Sequence, residues 1–168
     1  MSVKFNVKMT EKYMFDFMLY HNYTHLSGLI SAIFGVLSLW LAIYYVSERD
    51  MQYFAIWLMC AVLMLVVNPY TMKTRAKAQV ENTEMFKEPL KYELTESGIV
   101  VRQGDVEVIT EWSDVTKAVS TQKSIILYLG RIRALIFPKE CMGEQYEEVL
   151  KMVHTHVPAR YVKIRHIH

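Results

Sequence analysis

Histidines near the carboxyl end of this sequence are its most obvious candidates for metal ligands. His154 and His156 are two residues apart, and so are His166 and His168. On a helix, side chains two positions apart point to different faces, whereas side chains four positions apart share one. No cysteine or carboxylate is placed to complete a tetrahedral set. We therefore expect no metal site.

A group of carboxylates between residues 105 and 114 is the next candidate, because paired carboxylates can act as general acid and base. The group is Asp105, Glu107, Glu111 and Asp114. On a strand, Glu107 and Glu111 share a face with Ile109, which is typical of a solvated outer surface. The sequence contains no nucleophile-elbow, phosphate-loop, dinucleotide-binding or zinc-protease motif. We expect no catalytic residue, no cofactor and no enzyme.

The overall charge gives no indication of a nucleic-acid partner. The 168 residues carry a net charge of +2, and the basic residues do not form the stripe that nucleic-acid binding requires. The two cysteines, Cys60 and Cys141, lie in different halves of the chain. They predict neither a disulfide framework nor a Cys-x-x-Cys site, which favours a reducing, cytoplasm-facing setting.

Two apolar runs flank the only charges between residues 26 and 70, which are Glu48, Arg49 and Asp50. The first run, residues 26–46, is long enough at 1.5 Å per residue to cross a bilayer core of about 30 Å. The second run, residues 51–68, is at the low end of that length range. The sequence therefore predicts a transmembrane helical hairpin, residues 26–70, whose charged turn stays out of the lipid.

The positions of lysine and arginine predict the orientation of this hairpin, because loops on the cytoplasmic side carry more of them. The turn contains only Arg49. The other basic residues near the ends of the spans are Lys8, Lys12, Lys73, Arg75 and Lys77. We expect a multi-pass protein of the cell (inner, cytoplasmic) membrane with both termini in the cytoplasm.

Small residues form a stripe on the first span. At 100° per residue they lie within roughly 80° of one another, and such stripes let helices approach closely in lipid. Two interpretations stay open, namely packing against the second span and a homodimer interface. Neither span carries an ionisable side chain, which argues against an ion path. The stripe, called the seam below, consists of Ser27, Ser31, Gly35, Ser38 and Ala42.

The segments next to the spans have patterns of their own. Residues 3–9 alternate apolar and polar side chains, which predicts a half-buried strand. Thr10 is placed to cap a helix that begins at Glu11 and runs along the membrane surface. Asn68 and Pro69 predict an end or a kink in the second span, because the residue before proline disfavours helical geometry. Residues 71–89 read as a helical connector.

From residue 90 the apolar pattern changes to a period of two. Six short runs separated by turn residues predict antiparallel strands, and residues 143–157 predict an amphipathic helix that closes them. The N-terminal strand could add to this sheet, because both termini are expected on one side. The predicted organisation is a strand and interfacial helix (1–25), the hairpin (26–70), the connector (71–89) and a cytoplasmic β domain (90–168). The fold class is thus a membrane protein of the α+β type.

The ordered set of these features resembles the YcxB-like membrane proteins of bacteria. The segments that carry the resemblance follow the hairpin: Trp112-x-Asp114-Val115-x-Lys117, then residues 125–129, then Phe137-Pro138-Lys139 and a terminal helix. The resemblance implies a pleckstrin-homology-like β domain, and it implies no biochemical activity, because none is established for the family.

A pleckstrin-like domain suggests binding of phosphoinositides, which needs lysine or arginine side chains that converge on a phosphate. The first turn of the predicted domain, residues 95–98, is acidic instead. Basic residues near later turns form the candidate partner-binding patch Lys123, Arg131, Arg133 and Lys139.

These observations favour a membrane-anchored binding or regulatory module. The expected partners are the lipid bilayer and a protein or peptide on the cytoplasmic side, with a homodimer as the alternative use of the seam. The competing interpretation is a transport accessory or an immunity protein against a toxin or bacteriocin, which would act through the hairpin.

Overall fold

The computed structural model of the chain describes residues 2–130 and 133–164. It divides the chain into two compact units, which we call the β unit (residues 1–17 and 78–168) and the helical unit (residues 18–77). The main elements are β1 (Val3–Val7), α1 (Glu11–Thr24), α2 (Leu26–Ser47), α3 (Met51–Val62), a π-helical segment (Leu63–Val67), α4 (Asn68–Asn82), β2 (Leu90–Leu94), β3 (Gly98–Gln103), β4 (Val106–Glu111), β5 (Val115–Ser120), β6 (Ser124–Leu129), β7 (Arg133–Pro138), α5 (Lys139–Met142), α6 (Tyr146–His156) and β8 (Val162–Lys163). Short 3₁₀ turns at Glu84–Phe86, Trp112–Asp114, Gly143–Gln145 and Ala159–Tyr161 connect some of them.

The β unit contains two four-stranded sheets. Their strand orders are β1-β2-β3-β4 and β7-β6-β5-β8. The six strands predicted from the period of two are confirmed, as is the α+β class. The sequence did not predict β8, which pairs in parallel with β5 over only two residues.

The N-terminal strand belongs to the first sheet, as the sequence predicted. β1 pairs antiparallel with β2 from Val3 opposite Leu94 to Val7 opposite Leu90. The Phe5 ring stacks on Tyr92 with centroids 5.6 Å apart, and it meets the Phe137 ring edge-on at 5.2 Å. β1 therefore contributes to the core between the two sheets.

The C-terminal helix α6 covers part of the same core. Its buried residues are Val149, Leu150, Met152 and Val153. Trp112, at the connection between the sheets, is also buried. Its indole N–H donates a hydrogen bond to the Thr95 carbonyl at 2.9 Å. Trp112 is therefore a core residue.

The helical unit consists mainly of two long apolar helices. α2 has 22 residues, and α3, the π-helical segment and α4 form one continuous helix, Met51–Asn82. Both are long and apolar enough to cross a membrane, and most of their large apolar side chains are exposed. The prediction of two long apolar helices is thus confirmed.

The turn between these helices lies at the predicted charged residues. α2 ends with the Asp50 N–H bonded to the Tyr45 carbonyl and the Arg49 N–H bonded to the Val46 carbonyl, the pattern of a Schellman motif. Arg49 has a φ of 61°, where glycine is more usual. The Asp50 carboxylate then accepts from the Tyr53 N–H and caps α3. The backbone of Arg49 and Asp50 thus closes α2, and the Asp50 side chain opens α3.

Two local predictions change in the structure. Of the two outcomes predicted at Asn68-Pro69, an end of the helix is wrong, because the π-helical segment just before it bonds the Asn68 N–H to the Leu63 carbonyl, and a kink stays a prediction. This wider turn accommodates a proline that has no N–H to donate, so the helix continues. α1 does begin at Glu11, but the Thr10 side chain does not cap it: the Thr10 carbonyl accepts from Tyr13 and Met14, and its hydroxyl has no hydrogen-bond partner in the described part of the chain.

The aromatic contacts of β1 give a test of its contribution. Phe5→Ala should lower the free energy of unfolding of the β unit by about 3–5 kcal/mol, the usual cost of removing a buried phenylalanine. Asn6→Ala changes the adjacent, exposed side chain of the same strand and is the control. The measurement is thermal unfolding of the full chain by circular dichroism. Equal stability of the two variants would contradict a core position for β1.

Candidate ligand cavity

A cavity of about 270 Å³ lies within the β unit, between its two sheets. Its wall is mostly apolar and unusually rich in methionine, with Met9, Met14 and Met85 beside Phe17 and Phe86. Methionine is unbranched and flexible, so such a wall can adapt to ligands of different shape. The volume is close to the lower limit of common ligand pockets.

The cavity exists because the sheet interior becomes less covered toward β4. One cross-strand row on the inner face joins Phe5, Tyr92, Val101 and Val108. Tyr92 is 4% exposed at the covered end of this row, whereas Val108 is 44% exposed at the edge strand. β7, which is likewise an edge strand, supplies the opposite wall with residues 133–136.

The cavity is a pit rather than a shallow groove. Met14 and Tyr92 are almost fully buried at its inner end, while Met85 and Val108 are nearly half exposed. The Gln103 side-chain amide donates to the Met85 carbonyl at 2.8 Å and holds the short turn that forms one side of the opening. A ligand would therefore enter past Met85 and Val108 and reach the core.

Few polar side chains line this pit. They include Gln79, Thr110 and Arg133, and within residues 2–130 and 133–164 Arg133 is the one charged residue that lines it. Burial raises the pKa of the Tyr92 phenol, which also lines the wall, so this group stays neutral across the physiological range. The cavity can thus bind an apolar group and offers one cation at its edge.

The candidate basic patch is divided in the structure. The Lys139 N–H donates to the Lys123 carbonyl at 2.8 Å, so these two residues are neighbours. Arg133 is at the opposite end of β7, where it pairs with Leu129. Arg131 lies outside the described residues. Burial lowers the pKa of the Lys139 amine, and its ammonium donates to the Thr121 carbonyl at 2.7 Å.

Most seam residues lie inside the helical hairpin. The Ser31 hydroxyl lies 3.3 Å from the Met64 sulfur. A Cβ on Gly35 would come within 2.7 Å of the Leu65 side chain. These contacts are those of packing between the two helices. The seam residues are buried at Gly35, Ser38 and Ala42, half-buried at Ser31 and exposed at Ser27.

One of the candidate histidines has structural partners. His156 stacks on Trp112 at 5.0 Å and lies 3.1 Å from the Glu96 carboxylate. Within residues 2–130 and 133–164, no three histidine, cysteine or acidic side chains lie close enough to hold a metal ion. His166 and His168 are outside those ranges.

Glu107 belongs to a row of alternating charges on the outer face of the first sheet. The Arg102 guanidinium binds the Glu107 and Glu93 carboxylates at 2.6 Å each, and Lys4 lies 3.0 Å from Glu93. These cations lower the pKa of Glu93, with Lys4 as the larger cause. The position of Glu107 is that of a solvated outer face.

Sequence reasoning missed the cavity. In the sequence, Met9 and Met14 are ordinary apolar positions of a predicted strand and a predicted helix. The residues of β4 have the alternating pattern of an ordinary strand. Only the exposure of Val106 and Val108 on an edge strand distinguishes this end of the sheet. That exposure depends on how the two sheets diverge, which no local pattern encodes.

The close approach at Gly35 predicts the effect of a larger side chain. Gly35→Val should destabilise the helical hairpin by about 1–3 kcal/mol, because the new methyl groups would displace Leu65. Leu37→Val, at an exposed position of the same helix, controls for the lower helix propensity of valine. Unfolding of the full chain in mild detergent is the measurement. If Gly35→Val is no more destabilising than the control, the helices do not pack at this position.

The contact between α1 and α5 predicts a dependence on pH. The Lys12 ammonium and the Tyr13 hydroxyl bind the Glu140 carboxylate at 2.5 and 2.7 Å and hold the pKa of Glu140 below its usual range. A lowered folded-state pKa stabilises the protein above the unfolded pKa of about 4.3, and this contribution is lost as the pH falls through the folded value. Glu140→Gln should thus lower the melting temperature at pH 7, and this effect should become smaller as the pH falls below about 4. Glu144→Gln, at an exposed position of the next turn, should leave the pH profile unchanged. A Glu140→Gln effect of the same size at acidic and at neutral pH would contradict this assignment.

Comparison with known proteins gives one relationship. No curated protein matches the chain. The family model described as YcxB-like protein matches residues 94–153, which run from the end of β2 into α6. The match includes the edge strand β4 and the β7 wall of the cavity, whereas β1, α1 and the helical unit lie outside it. The resemblance drawn from the sequence is therefore confirmed: over residues 94–153 the chain matches the YcxB-like protein family.

Proposed function

We propose that the chain is a membrane-anchored binding module. The two long apolar helices span the cell membrane, and the pleckstrin-homology-like β unit binds its partner on the cytoplasmic side. The observation that carries the binding role is the open, apolar cavity between the sheets, with the cation Arg133 at its edge. Apolar pits with a few polar groups are the usual form of small binding sites in proteins.

The exposed surface of the helices supports the anchor. Only 6% of the most apolar window of the second helix is buried. Contiguous apolar surface of this extent is unfavourable in water and favourable in lipid. The charged residues at the hairpin turn and the basic residues Lys73, Arg75 and Lys77 are arranged as in a protein whose termini are cytoplasmic.

The β unit is a better candidate than the hairpin for the part of the chain that binds a partner. Gly35, Ser38 and Ala42 are already buried, so they are not free to bind a toxin or a transporter. The apolar cavity, by contrast, is open at Met85 and Val108. Two sheets and a C-terminal helix also fit the pleckstrin-like architecture that the resemblance implies.

Thiol labelling would test the anchor and its orientation. In a background without Cys60 and Cys141, a membrane-impermeant maleimide should label Ser47→Cys in intact cells. Glu88→Cys should react only after the membrane is permeabilised, because it would lie in the cytoplasm. Both residues are exposed, so accessibility within the fold is matched. Labelling of Glu88→Cys but not of Ser47→Cys in intact cells would indicate the opposite orientation. Extraction of the full chain from membranes by carbonate would contradict the membrane anchor.

Partner capture would test the cavity. Val108→Trp narrows the opening, whereas Ile109→Trp places the same ring on the other face of β4, outside the cavity. In crosslinking pull-downs of the full chain from native membranes, the first variant should lose a partner that the second retains. If both variants retain the partner, the cavity has no role in binding it. If the Gly35→Val variant retains the partner and the Val108→Trp variant loses it, the hairpin is excluded as the part that binds.

A further inference from the structure

We propose that the cavity holds a segment of one acyl chain of an anionic membrane lipid, with the lipid head group at Arg133. This inference rests on the proposed function, because it names the ligand of the same cavity and assumes that the helices enter the membrane. It assigns a lipid to a defined protein site, beyond the general contact between apolar helices and a bilayer.

The chemistry of the wall favours a hydrocarbon chain over a polypeptide segment. The inner end at Met14 and Tyr92 is almost fully buried. A peptide backbone at that depth would need partners for every N–H and C=O, and an unpaired buried amide costs several kcal/mol. The wall offers few polar side chains. A hydrocarbon chain needs none, and each buried methylene improves binding by about fourfold.

The charge at the edge selects an anionic head group. Arg133 is exposed, and among the residues that the structure describes no carboxylate lines the cavity. Asp114 borders a neighbouring shallow pocket together with Arg133 but is not part of the cavity wall. Arginine binds phosphate and carboxylate through its planar fork of N–H donors. A ligand with an apolar chain and an anionic end therefore fits both parts of the site.

The position of the cavity along the chain makes a membrane lipid the natural source. Its wall includes Phe17, the last residue of the first segment of the β unit, and Gln79, the second residue of the other segment. Along the chain, the helical unit begins at Met18, next to Phe17, and ends at Lys77, two residues before Gln79. If that unit spans the membrane, short lengths of chain connect residues of the cavity wall to the helices that enter the lipid.

A photoreactive lipid would test the inference on the full chain in nanodiscs. The probe is phosphatidylglycerol with a diazirine at the end of one acyl chain, and the adducts are mapped by mass spectrometry. We expect adducts on the cavity segments around Met9, Met14 and Met85, and also on the apolar faces of α2 and α3. The helix adducts serve as an internal control for insertion.

Matched variants define the expected result. Val108→Trp should lower the cavity adducts about tenfold, which corresponds to about 1.4 kcal/mol of lost binding, while Ile109→Trp should leave them unchanged. Met85→Trp, at another exposed edge of the opening, repeats the test if Val108→Trp does not fold. Arg133→Gln should lower the cavity adducts of phosphatidylglycerol to the level obtained with a phosphatidylcholine probe.

The adduct pattern separates failure of this inference from failure of the proposed function. Helix adducts without cavity adducts would contradict a lipid as the ligand but would agree with the membrane anchor. The occupant of the cavity would then be a group from a protein or a peptide. Loss of the helix adducts themselves would overturn the anchor. Equal cavity adducts for both lipids in the unmodified chain would overturn the role assigned to Arg133.

Discussion

The contact of Phe5 with Tyr92 and Phe137 is the interaction on which the rest of the β unit depends. It joins β1, near residue 5, to β2 of the same sheet and to β7 of the other sheet. The strands other than β1 come from the second half of the sequence. The helical unit is thereby an insertion between two segments that must meet to form one core. Stability of the β unit thus requires residues that lie on both sides of the apolar helices.

The cavity follows from the same arrangement. The sheets meet where the Phe5 ring packs edge-on against Phe137. Toward the edge strand β4 the inner face is less covered, since Val108 is 44% exposed. Val108 and Arg133 both line the cavity, so the site is a consequence of incomplete coverage of the sheet rather than of a special motif.

Local patterns predicted most elements of the fold. The alternation in residues 90–137, the charged turn at residues 47–50 and the apolar face of α6 each reflect a period or a turn chemistry that the sequence contains directly. The exceptions involve distant partners or local geometry. β8 is two residues long and is defined by its pairing with β5, the helix passes Pro69 through a π turn, and the cavity depends on the divergence of two sheets. The sequence shows only the charge of Arg133. Its position beside an apolar pit is seen only in the structure.

The pairing of β1 with β2 also fixes an order of events during synthesis. β1 leaves the ribosome before its partner β2, which follows more than 80 residues later, after both apolar helices. At about 5–20 residues per second, β1 is without its neighbour for roughly 4–17 seconds. Both apolar helices are therefore synthesised before the β unit can form its core, and a nascent chain arrested before residue 90 would leave Phe5 exposed to chaperones.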